Sequence, residues 1–286
     1  MKNTYFLTDL DGTLLRSQAK PSEFTISVLT QALEQGMVVS YATARSYQSS
    51  QAVASDIPWR YPLVLYNGAM LFDPIQKRVL DGRWLDSERC NTIIKMGKTL
   101  GITPLLFALD EKDNERVMHE RLERTGDLQF LASRPNDPRF QEVDELQNTA
   151  ELRTLILTYI GLFNELLPLK TAVEALFGSE VHIHLMKDNY IEGHYFLEFS
   201  HREANKQMGL RLWAALVGCA SEDVTAFGDN LNDTGMFLEA GYKVAVANAH
   251  PDLLQMADEI AGSNDEDGVA AYIAARSGGL GVNEVG

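Results

Sequence analysis

Apolar residues follow two rhythms along this chain. Short β-prone runs, Tyr5-Phe6-Leu7-Thr8, Met37-Val38-Val39-Ser40-Tyr41-Ala42 and Pro62-Leu63-Val64-Leu65-Tyr66, alternate with stretches in which apolar positions recur at helical spacing. The first such stretch is 21–35, with Phe24, Val28, Leu29 and Leu33 on one stripe and Gly36 as its stop. A second ends near Ala54. Strand, helix, strand, helix, strand predicts a parallel sheet with helical crossovers. The same alternation returns late. It predicts helices over 202–217, 233–240, 251–257 and 268–276, and strands over 224–228, over 243–247 and at Ile260.

Between these halves the alternation fails. Runs 69–73 and 78–82 flank Pro74-Ile75-Gln76-Lys77 and predict a β-hairpin. Then come an expected helix (86–100), a strand (103–109), a polar strand (115–120) and an irregular charged stretch containing Arg134-Pro135-Asn136-Asp137-Pro138. A strand (151–160), a helix (164–177) and a strand over 180–186 follow, the last alternating His182 and His184 with apolar residues. That mixture predicts a separate α+β insert. The expected fold class is therefore α/β: a doubly wound, Rossmann-like parallel-sheet core, residues 1–83 and 196–286, with an α+β cap at 84–195. An insert that enters and leaves at the ligand edge of a sheet is placed to act as a lid.

A chain of 286 residues, 45% hydrophobic and 23% charged, suits an ordinary water-soluble protein of this size. Its formal net charge of −15 repels polyphosphate chains, so no nucleic-acid partner is expected. Cys90 and Cys219 are the two cysteines; neither sits in a C-x-x-C pair, and no disulfide framework is implied. The chain runs from Met1 straight into a strand without a leader-like apolar run, and no stretch reaches the length of a membrane span. A cytoplasmic protein without a membrane partner is the expectation. The Gly-rich ending, 277–286, is expected to fray.

The chemistry concentrates at strand ends. Tyr5 to Thr8 leads into Asp9-Leu10-Asp11-Gly12-Thr13, two acids spaced i, i+2 followed by a glycine and a hydroxyl. Such a segment also suits a plain turn that ends a strand. At the carboxyl edge of an open α/β sheet, however, ligands bind, and two crowded carboxylates need a cation or a proton. Hard oxygen donors suit Mg²⁺, and the Gly and Thr donors suit a phosphate ester. Thr43 ends the second strand, Lys206 opens a later helix, and Asp229, Asn232 and Asp233 follow another strand. Brought to one edge, these groups would supply what phosphoryl transfer needs: a carboxylate to attack phosphorus, a second carboxyl to move a proton, and cations to offset charge.

Asp9-Leu10-Asp11-Gly12-Thr13, Ala42-Thr43-Ala44-Arg45, Asn67-Gly68-Ala69, Lys206 and Gly228-Asp229-Asn230-Leu231-Asn232-Asp233 resemble the ordered motifs of the haloacid dehalogenase-like phosphatases, and most closely the Cof-type subfamily. Ala240-Gly241, Ala247-Asn248-Ala249 and 264–269 are similar to the C-terminal signature of that group. The resemblance covers the core halves well and the insert poorly. It implies a Mg²⁺-dependent phosphatase for a small-molecule phosphate ester, a sugar phosphate by family habit, with the cap choosing the substrate. Asp9 would be the nucleophile and a metal ligand. Asp11 would be the general acid/base, with its backbone carbonyl on the metal, and Asp229 would complete the metal site. Backbone amides near Leu10, with Thr43, Lys206 and Asn232, would hold phosphate. Asp233, Arg45 and Asn67 would support, Asp233 by orienting Lys206 or a metal-bound water. Two positions depart from the family pattern: Ala44 and Gln207 stand where glycine is usual. A sugar phosphomutase on the same scaffold and a non-catalytic phospho-ligand sensor are the alternatives; the sensor is expected to lose an acid from the set Asp9, Asp11, Asp229, and none is lost. His182 and His184 resemble half of a metal pair, but also suit polar positions on a cap sheet.

Overall fold

The computed structural model describes residues 5–187 and 191–276. The expected frayed tail lies outside the described residues. The chain divides into two compact units, 1–82 with 205–286, and 83–204.

The first unit begins with β1 (Tyr5–Thr8), α1 (Glu23–Glu34), β2 (Val38–Tyr41), α2 (Tyr47–Ala54), β3 (Leu63–Leu65), β4 (Met70–Asp73) and β5 (Arg78–Gly82). Both early helices start where a serine side chain accepts a main-chain N–H: Ser22 from Thr25, and Ser46 from Ser49. β2 is buried along its whole length, as a strand covered on both faces must be. β4 and β5 form the expected hairpin.

The second unit holds α3 (Ser87–Thr99), β6 (Leu105–Leu109), β7 (Glu115–His119), α4 (Thr125–Ala132), β8 (Phe140–Glu142), β9 (Arg153–Leu162), α5 (Phe163–Phe177), β10 (Val181–Lys187) and β11 (His194–His201). Its six strands run in the order β10-β11-β9-β6-β7-β8. One cluster of its core gathers Ile93 and Ile94 of α3, Leu166 and Leu169 of α5, and Leu157, Tyr159, Leu197 and Phe199 of the sheet. A second, smaller cluster joins Phe130 of α4 to Leu105, Val117 and Ile160. Two expectations are corrected here. The irregular charged stretch contains α4 and β8. The insert ends after Ala204 rather than at residue 195, because β11 pairs with both β9 and β10 and so belongs to this sheet.

The chain returns to the first unit with α6 (Lys206–Val217), β12 (Val224–Gly228), α7 (Thr234–Glu239), β13 (Tyr242–Val246), α8 (Pro251–Met256), β14 (Glu259–Ala261) and α9 (Gly268–Arg276). Five parallel strands form its main sheet in the order β14-β13-β12-β1-β2. β3 follows β2 through a single parallel bridge, Ala42 to Val64, and otherwise pairs antiparallel with β4. α1 packs on α9, and α6 on α7. The topology that positions the site is at β1. It lies between β2, reached by one crossover, and β12, reached after the second unit. A reversal of strand order of this kind opens a crevice at the carboxyl edge.

Candidate active site

The register puts Thr8 level with Tyr41 on one side and Phe227 on the other. The residues that follow each of these leave the sheet together. Asp9 still donates its N–H to the Phe227 carbonyl (2.9 Å), so its side chain emerges beside Asp229. On the other flank the Ala42 N–H donates to the Thr8 carbonyl (2.9 Å), which brings Thr43 to the same edge.

Lys206 links two of the acids. Asn205 caps α6 by accepting the Met208 N–H, so Lys206 is the first residue of the helix and its ammonium adds to the positive end of the helix dipole. Nζ donates to Asp9 Oδ1 and to Asp233 Oδ1, both at 2.5 Å, with Lys206 1% and Asp233 0% exposed. The other oxygen of Asp233 accepts the N–H groups of Asp229 (3.0 Å) and Asn230 (3.1 Å), which closes the turn after β12. Asp233 is thus fully engaged, and it orients Lys206. Thr13 donates its hydroxyl to Asp229 Oδ1 (3.0 Å) and lies 3.5 Å from Asp9 Oδ2.

The carboxylates of Asp9, Asp229 and Asp233 converge closely enough to hold a metal ion. Three carboxyls face one ammonium, which leaves negative charge in excess. Burial holds the Asp9 carboxyl well above its ordinary value; Lys206 opposes the shift, and Asp233 and Asp229 add to it. Burial and then Asp233 push Asp229 up to about 6. Burial alone would lower the Lys206 ammonium, but Asp233 and Asp9 hold it above the ordinary lysine value, so it is charged. The residues fit a divalent cation: hard oxygen donors, an excess of buried negative charge, and one oxygen each of Asp9 and Asp229 without a short hydrogen bond.

Asp11 lies apart from this cluster. Its carboxylate is exposed and forms a two-pronged ion pair with Arg45, Nε to Oδ2 at 2.7 Å and Nη2 to Oδ1 at 2.6 Å. The side-chain group that could take a metal therefore includes Asp233 and leaves out Asp11, whose expected metal contact is through its main-chain carbonyl. Thr43 is 1% exposed, and its hydroxyl accepts the Arg45 N–H (3.1 Å). Asn67 accepts from the Asn232 amide (3.3 Å) and donates its own N–H to the Thr43 carbonyl (2.9 Å). Leu10 is fully buried, and its carbonyl anchors the turn by accepting the N–H groups of Thr13 and Leu15.

The two departures from glycine are accommodated. Ala44 is not among the residues with positive φ. Gln207 directs its amide to Glu239 of α7 (3.4 Å), and Gly235 on that helix leaves room for its Cβ. His182 and His184 lie across from Ser200 and Glu198 in the β10–β11 register and belong to no three-residue metal group among the described residues. Thr13, expected as a donor toward phosphate, here donates to Asp229 and is a residue of the site. Its signal was present, a hydroxyl in the turn directly after the acid pair.

A family model described as haloacid dehalogenase-like hydrolase matches residues 6–273. Pyridoxal phosphate phosphatase YbhA of Escherichia coli is 26% identical over 265 residues, covering 93% of this chain and 95% of that protein. The 5-amino-6-(5-phospho-D-ribitylamino)uracil phosphatase YitU of Bacillus subtilis is 27% identical over 274 residues, covering 93% and 94%. A solved haloacid dehalogenase-like hydrolase from Bacteroides thetaiotaomicron superposes with a TM-score of 0.78 at 23% identity, over 96% of this chain and 100% of that one. No helix of the described residues is long and apolar enough to cross a membrane.

Proposed function

We propose that this chain, which belongs to the haloacid dehalogenase-like hydrolases and is a phosphatase of that family, uses Mg²⁺ to hydrolyse a small phosphorylated metabolite, a sugar phosphate, through an aspartyl-phosphate on Asp9. The observation that carries the reading is the convergence of buried Asp9 and Asp233, both paired with Lys206, and half-buried Asp229 at the carboxyl edge of the parallel sheet. Relatives named for pyridoxal phosphate and for a phosphoribityl compound support a small phosphate ester as the substrate.

Asp9 and Asp229, with the Asp11 carbonyl, would hold the ion. Once bound, it shields phosphate charge from the anionic nucleophile and offsets charge that gathers in the transition state. The chain's own groups do the rest. A carboxylate oxygen of Asp9 bonds to phosphorus while the ester P–O bond breaks, and Asp11 gives the departing alkoxide its proton. Asp11 then takes a proton from water as the water oxygen attacks phosphorus, and the bond from phosphorus to Asp9 breaks to release phosphate. Thr43, Asn232 and the amides near Leu10 hold the non-bridging oxygens, and Lys206 supplies fixed positive charge. In a panel of phosphorylated metabolites, phosphate release should require Mg²⁺, stop with excess EDTA, and vanish in Asp9→Asn. Turnover that survives EDTA, or an active Asp9→Asn protein, would refute the reading.

A further inference from the structure

The C-terminal motifs around Asn248 and Asn264 have no part in the reaction as read above, yet their side chains end at the turn that carries Asp11. Asn248 follows β13 and is exposed. Its Oδ1 accepts the main-chain N–H of Asn264 (2.9 Å), which leaves Nδ2 to donate to the Gly12 carbonyl (2.8 Å). Asn264 is buried, and its own Nδ2 donates to the Leu15 carbonyl (2.9 Å). Two amides in series thus pin both ends of the 12–15 segment. Two residues beyond Asn248, the His250 N–H donates to the Asp229 carbonyl (2.7 Å). One short loop therefore holds the turn of Asp11 and the backbone of Asp229 together.

We propose that Asn248 and Asn264 are positioning residues that hold the backbone turn of Asp11 while Arg45 holds its carboxylate, an inference that rests on Asp11 being the general acid/base. Gly12 is in the left-handed region (φ +78°), and its Cα faces Asp229 so closely that an added Cβ would stand 2.4 Å from Oδ2. Fixing the Gly12 carbonyl fixes the Gly12–Thr13 peptide, one end of the two-rotation link (φ and ψ of Gly12) that joins Asp11 to Thr13. Neutral hydrogen bonds at an exposed residue contribute little to folding. A proton donor displaced by about 1 Å, in contrast, loses on the order of 100-fold in rate. The relay therefore bears on proton transfer more than on stability.

Leaving-group selectivity tests this. A p-nitrophenolate leaves without help, whereas an alkoxide needs the proton from Asp11. Asn248→Asp keeps the acceptor for Asn264 and turns an oxygen toward the Gly12 carbonyl; Asn248→Ala removes the donor without adding charge. For both variants, kcat/KM toward an alkyl phosphate such as glycerol phosphate should fall about tenfold or more. With p-nitrophenyl phosphate it should stay within about threefold of the wild-type value. The urea midpoint should move little. Equal losses for the two esters, or no loss, would overturn the inference. Asp11→Asn, run alongside, separates the two failures. If it discriminates between the esters while the Asn248 variants do not, the relay idea alone fails; if it does not discriminate, the acid/base reading and the relay fall together.

Discussion

Lys206 is a long cationic side chain with almost no contact with water. Removing an ammonium from water costs several kcal/mol, and only well-placed partners offset that. Here the partners are Asp9 and Asp233, and Asp233 is itself held by two main-chain N–H groups. The arrangement reads as specificity, because apolar residues could have filled the volume at no worse stability. It keeps a positive charge beside Asp9 and occupies Oδ1, so that Oδ2 is the oxygen of Asp9 without a short hydrogen bond. Lys206→Met should remove turnover. It should also destabilise the protein by about 3–5 kcal/mol, since it leaves two buried acids without their cation. Urea denaturation checks the second part, and an unchanged midpoint would mean that the triad contributes nothing net.

At the scale of elements, the site depends on turns that leave neighbouring strands at the same height. The turn after β1 fits against the turn after β12 because Gly12 has no side chain where Asp229 Oδ2 sits. Gly12→Ala adds a methyl group to that contact and strains a left-handed φ, so either Asp229 or the 11–13 turn must move. Phosphate release should drop by about 100-fold, with a stability loss of about 1–3 kcal/mol in a thermal melt. A retained rate would mean that Asp229 is not held by this turn. The strands, the helices and the motif order of this unit were legible because each obeys a local rule: buried β-branched runs, helical stripes with serine caps, acids and glycines at strand ends. α4 was not legible, since it buries only Phe130 among large apolar residues, and its start at Thr125 lacks a side-chain cap. The end of the insert was misplaced because pairing decides it. Nothing local in 194–201 says that β11 joins β9 and β10. The acids were readable as a set, and so was the link from Asp233 to Lys206, but which acid takes Arg45 and what holds the Gly12 turn were not. The ion pair of Asp11 with Arg45 and the link from Asn248 to Gly12 both join residues distant in sequence.

The described residues carry three sheets in two units, and the units differ in how pH should act on them. In the 83–204 unit, burial pushes Glu198 of β11 up to about 7, against a hydrogen bond from Thr158, and burial pushes Asp127 of α4 up to about 6. Asp127 Oδ2 also lacks a hydrogen-bond partner. A raised native pKa means that the folded unit binds the proton more tightly than the unfolded chain. Stability from this source is present at acid pH and is lost as pH rises from the ordinary glutamate value of 4.5 toward about 7. Asp110 and Asp137 oppose this at the acid end. Burial works against them, but Asn114 and Arg116 for the first, and Arg139 for the second, hold them below the ordinary value. Their contribution is present above the unfolded pKa and is lost as pH falls through the native one. Burial also lowers His182, His184 and His201, whose contribution grows as pH rises toward the ordinary imidazole range and offsets part of the decline toward pH 8 that Glu198 and Asp127 bring. Glu198→Gln keeps the shape, removes the titrating proton and should flatten much of that decline. Near pH 5 the variant should match the wild type, and near pH 8 it should be more stable by about 1–3 kcal/mol. Hydrogen exchange of the β9 and β11 amides reads this unit without relying on a single global transition. Equal protection of variant and wild type at pH 8 would show that Glu198 does not carry the pH dependence, and Asp127→Asn would be the remaining source to test.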